Sequence, residues 1–139
     1  VALSRFCLDT SAYSHFKRGD QQVVELLDTS EWIGVPSVVI GELWLGFLQS
    51  ARLDRNVGEL NQFLANPVVR EIVIDHDVGQ LYAEIVLALR RSGTPLPTND
   101  IWIAAAAARY GATVLTYDSH FANIQRVGSI VLSPADESR

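Results

Sequence analysis

Short apolar runs alternate with amphipathic stretches along the chain, and the alternation has two periods. Phe6 to Leu8, Trp32 to Val35, Val68 to Ile74 and Thr113 to Thr116 are compact runs of strand-favouring residues, and Pro36 and Gly111 supply stop signals beside two of them. They predict four strands, and Ile130 to Leu132 is a candidate fifth. Between them the spacing becomes helical. Val23, Val24, Leu26 and Leu27 make one stripe, Leu53, Val57, Leu60 and Leu64 a second, and Val78, Leu81, Tyr82, Ile85 and Leu89 the clearest. Ser37 is placed to cap a helix reaching about Ser50; Thr98 or Asn99 is placed to cap another that runs to Tyr110 and closes at Gly111. Strands alternating with helices predict an α/β chain: a three-layer α/β/α sandwich around a mostly parallel sheet of four to five strands.

Two helices depart from the single apolar stripe that an outer layer needs. Leu43, Trp44, Leu45, Phe47 and Leu48 cover most of one circumference, and Ile101, Trp102 and Ile103 begin another. For the Ile101 helix, deep burial accounts for the pattern as well as an interface does. For the Trp44 helix an oligomer or partner interface is favoured, because the indole adds bulk to a second face.

The length of 139 residues suits one domain spanning the whole chain. An apolar fraction of 48% supplies a core and excludes a disordered tail. The longest apolar run, Ile101 to Ala108, is too short to span a bilayer. Arg5 and Asp9 interrupt the first apolar stretch, so no signal peptide is expected. A single cysteine, Cys7, excludes an internal disulfide and a multi-thiolate metal site, and fits a reducing cytoplasm. Sixteen acids against eleven bases give a formal charge of −5, which by itself argues against a nucleic-acid partner. That objection weakens if several of the acids belong to one metal site.

The position of the acids makes such a site plausible. Asp9 ends the first predicted strand, Asp118 lies just beyond the fourth, and Asp100 falls in the first turn of the helix after Pro97. In a parallel sheet the strand C-termini and helix N-termini share one edge, so topology alone brings these three together. Glu42 lies in the second turn of its helix among Ile40, Leu43, Trp44 and Leu45, where a solvated charge is not the default. Taken one at a time, capping or helix-dipole roles are the simpler reading of the aspartates, and Glu42 could pair with an arginine.

Together they are harder to dismiss. At roughly 5 Å and an effective dielectric near 20, each like-charge pair costs about 3 kcal/mol. Such a set must take up protons, find bases or bind a metal; the chain has one lysine, Lys17, and no basic residue within three positions of Asp100. Oxygen ligands select Mg²⁺ or Mn²⁺ over zinc, and these ions activate water for phosphodiester hydrolysis. Leu-Asp-Thr-Ser occurs twice, at 8–11 and 27–30. Only the first copy follows a strand, which makes Asp28 a decoy.

Leu-Asp-Thr-Ser-Ala at 8–12, Gly-Glu-Leu at 41–43, Asn-Asp-Ile-Trp-Ile-Ala-Ala at 99–105 and Thr-Tyr-Asp-Ser-His-Phe at 116–121 resemble the ordered motifs of PIN-domain ribonucleases, in particular the VapC toxins of type II toxin–antitoxin systems. The resemblance covers nearly the whole chain; each motif alone is weak, and all four in order are specific. It implies that Asp9, Glu42, Asp100 and Asp118 are the acidic positions, with Asp9 and Asp100 the foremost metal ligands, Asp118 close behind and Glu42 on a second metal or the water network. Thr116 matches a supporting hydroxyl, and Ser11 is a candidate for the same role. The family's activity is endoribonuclease cleavage with Mg²⁺ or Mn²⁺, leaving 5′-phosphate and 3′-hydroxyl ends on an RNA such as tRNA or rRNA. Its members usually form homodimers, and a cognate antitoxin occludes the site.

Other readings compete. A non-toxin PIN-domain RNA-processing nuclease would share these acids, and a non-catalytic interaction module could use them to hold an ion. A metal-independent ribonuclease would draw on His15, His76 and His120, which no spacing forces together. His120 is read equally as a substrate contact or a packing and capping residue, and His15 and His76 mainly as surface or turn residues. A receiver domain would need a lysine near the last strands, where none occurs. Lys17, Arg18, Arg52, Arg55, Arg90 and Arg91 are read as solvated charges first and phosphate contacts second.

Overall fold

The computed structural model describes residues 4–134. Five strands form one sheet: β1 (Arg5–Leu8), β2 (Trp32–Pro36), β3 (Val69–Ile72), β4 (Thr113–Thr116) and β5 (Ser129–Val131). Its order is β3-β2-β1-β4-β5 and every neighbouring pair is parallel. Six helices connect the strands: α1 (Thr10–Lys17), α2 (Gln21–Asp28), α3 (Ser37–Leu48), α4 (Leu53–Leu64), α5 (His76–Ser92) and α6 (Thr98–Arg109). A 3₁₀ turn over Ser119–Asn123 lies between β4 and β5. The expected α/β sandwich with a parallel sheet is what forms, with all five strands present.

The central strands are the most apolar because helices cover both their faces. Cys7, Leu8, Val35, Val114 and Leu115 are fully buried. From β1 to β3 the chain steps one way across the sheet; it then returns past β1 to β4. Right-handed crossovers therefore put the connections before and after that reversal on opposite faces. The reversal makes the gap beside β1 a topological switch point, where strand ends open a crevice.

Helix α6 is the buried helix. Ile101, Ile103 and the run Ala104–Ala107 are all buried, and the small alanines allow close approach on every side. Trp102 stacks on Tyr82 of α5, with ring centroids 3.8 Å apart and planes at 10°. Gly111, at φ +62, turns the chain out of α6 into β4 in the conformation that L side chains rarely adopt. Helix α3 is covered on one side only: Val39 and Leu43 are buried, whereas Trp44, Leu45 and Leu48 are exposed.

Several boundaries differ from those read in the pattern. Strand β2 includes Pro36, and β3 covers only Val69–Ile72 of the apolar run from Val68 to Ile74. Strand β5 is shifted one residue toward the N-terminus. Neither α3 nor α6 carries the side-chain cap expected of it. Prolines 36 and 97 occupy the cap positions, with Ser37 and Thr98 as first helical residues. The Ser37 hydroxyl instead donates to the Ile72 carbonyl at 3.1 Å, tying α3 to the end of β3.

Candidate functional site

Asp9 is the residue immediately after β1, at the centre of the sheet's C-terminal edge, and it is only 5% exposed. Its Oδ1 accepts from the Ala12 N–H at 2.8 Å, capping α1, and from the Ser11 hydroxyl at 2.7 Å. Its Oδ2 accepts from the hydroxyl of Thr116, the fully buried last residue of β4. Thr116 Oγ1 in turn accepts the Asp118 N–H at 2.9 Å, and Ser11 Oγ accepts the Tyr117 N–H at 3.0 Å. The two hydroxyls therefore lace the ends of β1 and β4 together. The capping reading of Asp9 is correct as far as it goes, but capping does not require so buried a charge.

Asp100 arrives from the first turn of α6, and Asp118 from the turn after β4. Asp118 Oδ1 accepts the His120 N–H at 2.9 Å, which leaves Oδ2 facing the site. His120 Nδ1 lies 3.1 Å from Asp118 Oδ2 and 3.1 Å from Asp100 Oδ2. One ligand atom from each of Asp100, Asp118 and His120 falls within 4.8 Å of the others. Glu42, half-buried in α3, accepts the Thr10 hydroxyl at Oε1 at 2.8 Å and adds its charge to the field at Asp100.

Electrostatics mark two of these acids. Burial is the main force raising the Asp9 pKa above the ordinary 3.8; the bonds from Thr116, Ala12 and Ser11 oppose it, and the Asp100 charge adds to it. Asp100 is also raised, first by burial; the His120 hydrogen bond opposes, and Asp118 and Glu42 reinforce. Several carboxylates facing one sheet edge make a site whose charge a cation would balance. Hard oxygen donors with a single imidazole suit a divalent ion, so the residues present fit one.

Asp9, Glu42, Asp100, Asp118 and Thr116 thus lie near one edge, and of the four acids Asp100 and Asp118 are the pair whose ligand atoms converge, with His120. Asp28 ends α2 and is exposed. The residue underestimated from sequence is His120. The base nearest Asp100 comes from a different part of the chain, and its signal in the sequence is a histidine two residues after Asp118, in the turn that carries it. His15 also departs from the surface reading. It stacks on Tyr117 with ring centroids 3.7 Å apart, and its Nδ1 lies 3.6 Å from Asp20 Oδ2. His76 opens α5 and is exposed, as expected of a solvated residue.

A family model described as PIN domain matches residues 6–127. Ribonuclease VapC4 of Mycobacterium tuberculosis is 34% identical over 102 residues, covering 73% of this chain and 78% of that protein. Ribonuclease VapC5 of the same organism is 28% identical over 123 residues, covering 88% and 90%. Among solved structures, VapBC-5 of M. tuberculosis, a member of the VapBC family of toxin–antitoxin systems, aligns with a TM-score of 0.71 at 28% identity, covering 93% of this chain and 99% of that one. DNA-bound VapBC of Salmonella typhimurium aligns at 0.81 and 23% identity, covering 93% and 98%, a likeness of fold. The chain belongs to the PIN domain family.

Proposed function

We propose that this chain is a metal-dependent endoribonuclease, the toxin of a type II toxin–antitoxin pair, acting as one domain. The observation that carries the reading is the convergence of Asp100 and Asp118 beside buried Asp9, in a PIN domain whose relatives bear the name ribonuclease. Asp9, Asp100 and Asp118 would hold Mg²⁺ or Mn²⁺, with Glu42 at the edge of the set. When bound, such an ion lowers the pKa of water and offsets charge developing on a phosphodiester.

The side chains divide the remaining work. Thr10 fixes Glu42 Oε1, which leaves Oε2 to accept a proton from a water approaching phosphorus. Thr116 and Ser11 hold the Asp9 carboxylate in one orientation by donating to its two oxygens. In-line attack by water expels the 3′-oxygen and leaves a 5′-phosphate and a 3′-hydroxyl. The substrate is RNA, with tRNA or rRNA as the expected targets.

An antitoxin and a second copy of the chain are the expected partners. A groove of about 290 Å³ between α1, α3 and α4 is lined by Tyr13, Leu43 and Phe47 on its apolar side and by Lys17 and Glu59 on its polar side. The exposed Trp44, Leu45 and Leu48 lie on the same helix α3. Among the described residues no helix is long and apolar enough to cross a membrane. The toxin reading is tested by inducing the chain in a bacterial host beside Asp100→Asn. Growth arrest with the wild type alone, accompanied by newly cut RNA, is the expected result. Arrest by both would contradict an acid-dependent nuclease, and RNA cleavage without arrest would favour an RNA-processing role.

A further inference from the structure

The geometry points to His120 as a nitrogen ligand of the ion, giving the site a mixed oxygen and nitrogen donor set that prefers Mn²⁺ to Mg²⁺. This rests on the metal-dependent reading above and specifies which ion the site takes. His120 Nδ1 stands 3.1 Å from the Oδ2 atoms of both Asp100 and Asp118. Neighbouring ligands at right angles around a six-coordinate ion with bonds of about 2.2 Å are separated by about 3.1 Å. All three ligand atoms lie within 4.8 Å of one another.

The imidazole is also held in place. The backbone N–H of His120 donates to Asp118 Oδ1, which closes the turn and presents Oδ2 on the same side as Nδ1. Phe121, the next residue, is fully buried and anchors the 3₁₀ turn. His120 itself is 46% exposed, so its orientation follows from these contacts rather than from packing around the ring.

Ligand chemistry then sets the preference. Mg²⁺ is bound by oxygen and gives up its waters reluctantly, whereas Mn²⁺ accepts imidazole beside carboxylates and ranks among the transition ions for which such ligands add affinity. An all-carboxylate site lacks that discrimination. The alternative use of the same 3.1 Å distances is a hydrogen-bonded imidazole that donates to the two carboxylates and never touches the ion.

The test uses the full chain, Mn²⁺ and Mg²⁺ as probes, and variants His120→Asn and Asp100→Asn. Pulsed EPR of bound Mn²⁺ should show ¹⁴N modulation in the wild type that disappears in His120→Asn. Calorimetric titration should show Mn²⁺ affinity falling roughly tenfold or more in His120→Asn, with Mg²⁺ affinity changed less than about threefold. Mn²⁺ binding that depends on Asp100 but shows no ¹⁴N coupling would overturn the role of His120 and leave the site intact. Equal Mn²⁺ affinity in the wild type and Asp100→Asn would overturn the metal site itself.

Discussion

Thr116 and Asp9 stand 107 positions apart in the chain, yet the fully buried hydroxyl of one donates to the buried carboxylate of the other at the ends of adjacent central strands. The same hydroxyl accepts the Asp118 N–H, so one oxygen links two of the acids. Thr116→Val keeps the shape of the side chain and removes both bonds. It should destabilise the fold by about 1–3 kcal/mol and weaken divalent-ion binding, while Thr116→Ser restores most of both. Chemical denaturation and ion titration of the two variants check this.

Asp100→Asn should abolish RNA cleavage without loss of the fold. The substitution removes one charge from a cluster in which Asp118 and Glu42 already oppose it. The variant without ion should therefore be at least as stable as the wild type, by up to about 1 kcal/mol. Thermal unfolding in EDTA beside a cleavage assay separates lost chemistry from lost structure.

The pH dependence follows from the raised acids. Asp9 and Asp100 titrate above 3.8 in the fold, chiefly through burial, so the ion-free folded chain retains protons that the unfolded chain has released. Their contribution to stability is complete below the unfolded value and is lost as pH rises through the folded values. A divalent ion binds the ionised forms and reverses the trend. In EDTA, the difference in unfolding temperature between the wild type and Asp100→Asn should move against the wild type as pH rises above about 4. Mn²⁺ should remove that drift, and cleavage activity should fall as pH drops through the raised values.

Asp28→Asn is the matched control for Asp9→Asn. Both residues lie in a Leu-Asp-Thr-Ser sequence, but Asp28 is exposed at the C-terminal end of α2, where a negative charge opposes the helix dipole. Its neutralisation should leave ion binding unchanged and stabilise the fold by a few tenths of a kcal/mol. Asp9→Asn should lose ion binding.

The main chain of the site was legible because its logic is topological. Once β1 and β4 are parallel neighbours, Asp9 and Asp118 must emerge at one edge, and the start of α6 brings Asp100 to it. Glu42 was marked by its apolar neighbours, a different signal and a weaker one, since Trp44 and Leu45 are exposed and the carboxylate is held by the Thr10 hydroxyl. Side-chain direction carried no such signature. His120 reaches both Asp100 and Asp118 because of how the 3₁₀ turn is anchored at Phe121, a short-range geometry that hydrophobic spacing does not encode. Ser37 illustrates the same gap at a helix end. Pro36 continues β2 into the cap position, so the serine hydroxyl turns across to β3.

Metal-dependent cleavage by the acid cluster is tested most directly on total bacterial RNA, incubated with the purified chain and Mn²⁺, Mg²⁺ or EDTA, with product ends mapped and Asp100→Asn run in parallel. The expected result is discrete cuts that need the ion, carry 5′-phosphate and 3′-hydroxyl ends, and vanish in the variant. Cleavage that survives EDTA and leaves cyclic phosphates, or that persists in Asp100→Asn, would contradict it.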